Sequence, residues 1–232
     1  AFREEALLAP HEAARARVPD SAPTVGFARA MYTHDRLPFW STFFSELGFR
    51  PVLSPESDKA IREAGVALTV AEPCFPIRVA HGHVQWLFDE GVDWVFLPNQ
   101  INEESEFEQY NSHACPWGQT LPFVIRTAPG LEQHQDKVLA PRVRFRDGRD
   151  GLVRDFAETA RRLGVSTSRV RRAFDVAYRV QDEFRGKLLS AGAEALERLE
   201  LAGELGIVLV GRPYNMFDKG INMDIPRKLR KF

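Results

Sequence analysis

TVGFARAMYTHDRLPFWSTFFSELGFRPVLS, Thr24 to Ser54, decides how the chain folds. TVGFARAMY is a short apolar run with strand character. In LPFWSTFFSELGF the apolar residues recur at helical spacing until Gly48 ends them, and RPVLS then reads as a second strand. Strand, helix and strand in close succession argue for a parallel sheet, whose neighbouring strands need a crossover connection. The alternation continues downstream. ESDKAIREAG reads as a helix closed by Gly65, and VALTV as a third strand. From Pro76 the stripe Ile77, Ala80, Val84, Leu87, Phe88 reads as a helix with proline in its first turn, VDWVFLP as a buried strand, and LPFVIRTA as a further strand. The expectation is an α/β fold, a Rossmann-like or flavodoxin-like parallel sheet flanked by helices, over residues 24–147, behind a polar, alanine-rich lead-in over 1–23.

Residues 148–203 read as a helical connector. A helix is expected over 151–163. A longer one runs over about 165–201, capped by Ser166 or Thr167, with Val170, Phe174, Ala177, Gln181, Phe184, Leu188, Ala191 and Ala195 near heptad spacing. Its expected role is a connector packed on the sheet. ELGIVLVGRPYN then reads as a near-continuous apolar strand ended by Gly211, and MDIPRKLRKF as a new helix, so residues 204–232 are expected to open a second α/β unit. The chain starts without Met and stops inside that helix, which predicts a fragment of a longer protein, inactive alone.

Hydrophobic residues make up 44% of the 232 and aromatics 11%, enough to bury a true core. Lys+Arg 31 against Asp+Glu 32 gives a net charge of −1, so the electrostatic footprint of a general nucleic-acid binder is missing. No apolar stretch approaches the roughly 18 to 20 residues that span a bilayer, and AFREEALLAP lacks the order of a signal peptide. The protein is therefore expected to be cytoplasmic. Its two cysteines do not make a disulfide framework, and free thiols or metal ligands are the default.

One of them stands in EPCFPIRVAHGHV, residues 72–84. Cys74 falls between a strand's carboxyl end and a helix's amino end, where helix dipoles favour a thiolate or an anion. Cys115, in ACPWGQ, falls just ahead of a predicted strand. Two Pro-flanked loops at one sheet edge bring two soft thiolates to one point, suited to an iron–sulfur cluster or to zinc. The competing reading is a pair of inert buried thiols. His81 and His83 lie two apart on a helix and point away from each other, so at most one faces the cysteine end. A zinc site from Cys74, Cys115 and His113 lacks zinc-finger spacing, and no cysteine-protease signature is present. In GRPYN and DKGIN, Asn215, Asp218 and Asn222 suit a phosphate or a cluster-side ligand, or else a loop held by its own side chains. No GxGxxG or P-loop pattern occurs.

EPCFPIRVAHGHVQWLFDEGVDWVFLPN, ACPWGQTLPFVIR and GRPYNMFDKGINMDIPRKL together resemble the acyl-CoA dehydratase activase-related proteins, akin to 2-hydroxyacyl-CoA dehydratase subunits, over most of residues 24–228. The resemblance implies Rossmann-like domains holding an iron–sulfur cluster, of the 4Fe-4S type, usually by three cysteines. In such relatives an ATP-driven activase injects one electron, which passes to an acyl-CoA thioester for radical dehydration or reduction. By this analogy Cys74 and Cys115 match two cluster-ligand positions, with His113 and His81 as neighbours, and the third ligand is expected beyond Phe232. The implied partners are other domains of a longer chain, an ATP-dependent activase domain and an acyl-CoA substrate, with no nucleic acid and no membrane. The activase's own ATPase motifs are missing. The alternative is a non-catalytic scaffold that binds a metal or a partner domain.

Overall fold

The helix over Thr33–Glu46 connects two strands that lie side by side and parallel, Thr24–Phe27 and Arg50–Leu53. The computed structural model describes residues 2–107 and 109–229. In chain order its elements are α1 (Phe2–Ala16), β1 (Thr24–Phe27), α2 (Thr33–Glu46), β2 (Arg50–Leu53), α3 (Lys59–Leu68), α4 (Phe75–Asp89), β3 (Trp94–Phe96), β4 (Asn99–Asn102), α5 (Pro116–Arg126), β5 (Val138–Leu139), β6 (Arg142–Arg144), α6 (Gly148–Asp155), α7 (Ala157–Arg162), α8 (Thr167–Ala202), α9 (Pro213–Phe217), α10 (Lys219–Asn222) and α11 (Ile225–Leu229). The main sheet has the order β2-β1-β3-β5 and every pairing is parallel. This is the expected Rossmann-like, flavodoxin-like α/β arrangement. Sheet growth changes direction between β1 and β3, the switch point at which such sheets bind ligands.

Strand periodicity distributes the core over two faces. Val25, Phe27, Phe96 and Leu139 pack with the aromatic residues of α2, Phe39, Trp40, Phe43 and Phe44, and with Phe174 of α8. Val95 and Val138 face Ile77, Val84 and Leu87 of α4 and Ile125 of α5. Gly26 belongs to that second face, and a Cβ there would meet Leu87 Cδ2 at 2.9 Å, so a bare backbone lets α4 lie close on the sheet. Two prolines then bend the neighbouring strands. Leu97 donates to Leu139 and Asn99 to Pro141, both at 2.9 Å, while Pro98 and Pro141 have no N–H to give. Beyond this break the same two chain segments pair again as β4 and β6.

Four expectations are corrected. VALTV is not a strand: α3 continues to Leu68. Gly65 lies inside that helix because it packs against α4, where a Cβ would overlap the carbonyl oxygen of Arg78. LPFVIRTA is not a strand either, since Leu121 to Arg126 form the end of α5, with Gly118, Leu121, Pro122 and Ile125 buried at helical spacing. A short apolar run has no period of its own to choose between the two forms. ELGIVLVG forms no strand, because no strand among the described residues lies beside it to complete a ladder. Leu205, Val208 and Val210 are instead 93%, 79% and 92% exposed. Finally, α8 packs only through its first half: Ser166 caps it, Val170, Ala173, Phe174, Ala177, Gln181 and Phe184 are buried, and Leu189 and Leu196 face outward. No helix among the described residues is long and apolar enough to cross a membrane.

Candidate functional site

Cys74 and Cys115 occupy equivalent positions, each the N-cap of a helix with proline in its first turn. Neither thiol makes a capping hydrogen bond. Cys74 is exposed and Cys115 half-buried, so both sulfurs are free and reachable. The correction of LPFVIRTA to a helix strengthens the likeness, because the first N–H groups of α4 and of α5 now both point toward a cysteine.

Residues of the GRPYN segment lie near both cysteines. Burial pushes the Tyr214 hydroxyl up, the neighbouring Arg212 opposes it, and the fields of both Cys115 and Cys74 add to the rise. Tyr214 is thus within electrostatic reach of both sulfurs. Arg212 donates to its hydroxyl at 3.1 Å. Tyr32 meets Tyr214 edge to face with ring centroids 6.4 Å apart, and burial raises its hydroxyl too, helped by Tyr214 and Cys115. Gly118 of α5 makes room for this ring, since a Cβ there would overlap the Tyr32 hydroxyl. A recess of about 390 Å³ runs beside Tyr32, Tyr214 and Arg212 and reaches His113, which bridges to Asn102.

The histidines divide by location. His113 lines that recess. His81 is buried in α4, donates from Nδ1 to the Ile77 carbonyl at 2.8 Å, and has its proton affinity lowered by burial. A ring held this way is a core residue. Among the described residues no group of three or more His, Cys, Asp or Glu side chains is placed to hold a metal. Two unengaged thiols at helix N-termini are soft donors of the kind iron–sulfur clusters take, and they are fewer than the three or four ligands such a cluster needs.

A second constellation was not legible from spacing. His83 is fully buried, with Ser54 Oγ at 2.9 Å from Nδ1 and Ser57 Oγ at 2.8 Å from Nε2. Ser57 Oγ donates to Asp218 Oδ2 at 2.5 Å, and the Arg29 N–H donates to Ser54 Oγ at 2.8 Å. Only one proton arrangement satisfies the whole chain: Ser54 donates to Nδ1, and Nε2–H donates to Ser57. The carboxylate thus addresses the serine and not the imidazole, and the orienter of a nucleophilic triad is missing. The chain of bonds works as a latch. Burial would raise the Asp218 carboxyl, but the hydrogen bonds from Ser57 and the Gly220 N–H, with the His34 ring nearby at 3.7 Å, prevail and hold it below the usual carboxylate range. Asn222 Nδ2 closes the loop on the Met216 carbonyl at 2.7 Å. The DKGIN segment is accordingly held by its own Asp and Asn side chains, one of the two readings its sequence allowed. Asp218→Ala is expected to cost about 1 to 3 kcal/mol, by stranding the Ser57 and Gly220 donors. Limited proteolysis should then cut first between Gly211 and Asn222; an unchanged cleavage rate counts against the latch.

Comparison with known proteins adds one match: the model of the CoA enzyme activase uncharacterised domain family covers residues 24–232. Neither the curated proteins nor the solved structures contain a match. The matched span takes in both cysteine loops, the latch and the GRPYN segment, and the chain belongs to the CoA enzyme activase uncharacterised domain family.

Proposed function

We propose that this chain is a module of a low-potential electron-transfer protein serving CoA-thioester chemistry, with Cys74 and Cys115 as two thiolate ligands of an iron–sulfur cluster. The observation that carries the reading is the placement of both thiols as unengaged N-caps of α4 and α5, with Tyr214 in reach of both. The family's relation to CoA enzyme activases supports the same assignment. When bound, the cluster would supply one-electron transfer. The chain's own residues do the rest. Helix N-termini and the Arg212 guanidinium offset thiolate charge, Tyr214 holds Arg212 in place, and the Tyr32 ring screens Cys115 from water. The remaining ligands come from another segment or subunit, with an ATP-dependent activase as electron donor and an acyl-CoA thioester as acceptor. The exposed run Leu205 to Val210 has the composition of a strand covered on both faces and would pair with strands of a second α/β unit.

In the full-length protein purified without oxygen, Cys74→Ser and Cys115→Ser are each expected to remove most of the bound iron and acid-labile sulfide while far-ultraviolet circular dichroism stays unchanged. Serine oxygen is a harder donor than thiolate and holds iron–sulfur clusters poorly. Full iron content in both variants refutes the assignment. The lack of a three-ligand group among the described residues favours a second reading, a non-catalytic metal- or partner-binding scaffold. A colourless, iron-free parent protein selects it.

A further inference from the structure

A second cleft, of about 600 Å³, lies between the carboxyl end of α5, the Pro141 bend and the pair α6–α7. Its volume falls in the range of small-molecule sites. Arginines dominate the lining: Arg126, Arg142, Arg154, Arg161 and Arg162, against the carboxylates of Asp155 and Glu158. The two acids do not balance them. Asp155 is taken by Arg144, which donates from Nε at 2.9 Å and from Nη2 at 2.5 Å. Arg162 belongs to the wall, because it donates to the Val138 and Asp136 carbonyls and lies over the Trp94 ring. The other four make no ion pair among the described residues. Four unpaired guanidiniums around one concavity, in a chain of net charge −1, repel one another and await an anion.

We infer that this cleft binds a phosphate-rich small molecule of the nucleoside diphosphate class. Guanidinium forks match phosphate oxygens two at a time, so Arg142 and Arg161 with Arg126 and Arg154 suit two adjacent phosphates rather than a single carboxylate. Phe123 lines the same cleft and is 52% exposed, a flat apolar face on which a planar base rests. The site is of a different kind from a P-loop, since side chains and not backbone N–H groups meet the phosphates. Helix α5 joins it to the cysteines: Cys115 caps one end and Arg126 closes the other, about 16 Å away at 1.5 Å per residue. The inference is independent of the iron–sulfur reading.

Calorimetric titration of the full chain with ADP and with inorganic pyrophosphate tests it. Saturable binding of both is expected, tighter for ADP, with affinity falling as salt rises. The double variant Arg142→Gln/Arg161→Gln should lose at least about tenfold for both ligands, and its exposed positions leave the fold intact. Phe123→Ala should weaken ADP alone. Arg198→Gln, on the exposed half of α8, should change neither. Absence of saturable binding, or equal losses in the double variant and in Arg198→Gln, overturns the site; equal affinity for ADP and pyrophosphate overturns the role of Phe123.

Discussion

Gly82→Val is expected to destabilise the protein by on the order of 4 kcal/mol, at the upper end of single-substitution effects. Helices α3 and α4 cross backbone to backbone at Gly65 and Gly82. A Cβ at Gly82 would overlap the carbonyl oxygen of Ile61 and lie 3.0 Å from the Gly65 nitrogen. Neither obstacle is a movable side-chain tip, so the helices must separate. Separation withdraws Ile77, Ala80 and Val84 from the core face they share with the sheet. Gly65→Val meets the Arg78 carbonyl in the same way and should cost a similar amount. Thermal unfolding followed by circular dichroism checks this, with a fall in Tm of roughly 10 °C for a chain of this size. Gly186→Ala is the control. Nothing lies within 4 Å of that position in the exposed interior of α8, and the substitution should stabilise by up to about 1 kcal/mol. A Gly82→Val protein that melts with the parent would show that the crossing is not this close.

Acid should unfold the protein through its buried imidazoles. Burial lowers His83 to about 4, with the positive charge of Arg29 and the His34 ring adding to the effect while Asp218 and Asp58 oppose it. Burial likewise lowers His11 to about 4, assisted by Arg15, and its Nδ1 lies 2.8 Å from Ser41 Oγ. Unfolded histidine titrates near 6.5. Between these values the unfolded chain binds protons that the folded chain refuses, so stability is complete above about pH 6.5 and falls as pH drops toward 4. Each histidine contributes roughly 3 kcal/mol over that window, about 6 kcal/mol together, and His81 shifts in the same direction. The Asp218 carboxyl, held low, withdraws its own contribution below about pH 4. A total of that size is comparable to the stability of a whole domain. Urea unfolding midpoints at pH 7, 6, 5 and 4.5 should decline steadily, and constant midpoints across this range refute the assignment.

The latch shows most clearly where reading along the chain stops. His83 and Asp218 were both visible as chemistry-bearing residues, but His83 bonds through Ser57 to a residue far downstream, and no local period encodes that meeting. Cys74 was legible as the residue at a helix mouth because Pro76 announces the first turn. Cys115 was placed before a strand because the apolar run after it is too short to show a period, and only packing under Tyr32 through Gly118 makes that run a helix. The arginine cleft joins Arg154, Arg161 and Arg162 of one arginine-rich run to Arg126 and Arg142 outside it, a meeting that no charge run encodes.

The strand, helix and strand from Thr24 to Leu53 and the helix and strand from Phe75 to Phe96, the rhythm that demands parallel pairing, were set by sequence alone, because side-chain periodicity is a local property of the chain. Cys74 at the head of a helix was named there too, while Cys115 was placed ahead of a strand. Tertiary structure alone decided that Gly65 continues a helix instead of ending it, since a glycine's role depends on what approaches its missing side chain. It also left Leu205 to Val210 without a ladder, because a strand exists only beside another strand and backbone hydrogen bonds across chain segments are not written in either segment.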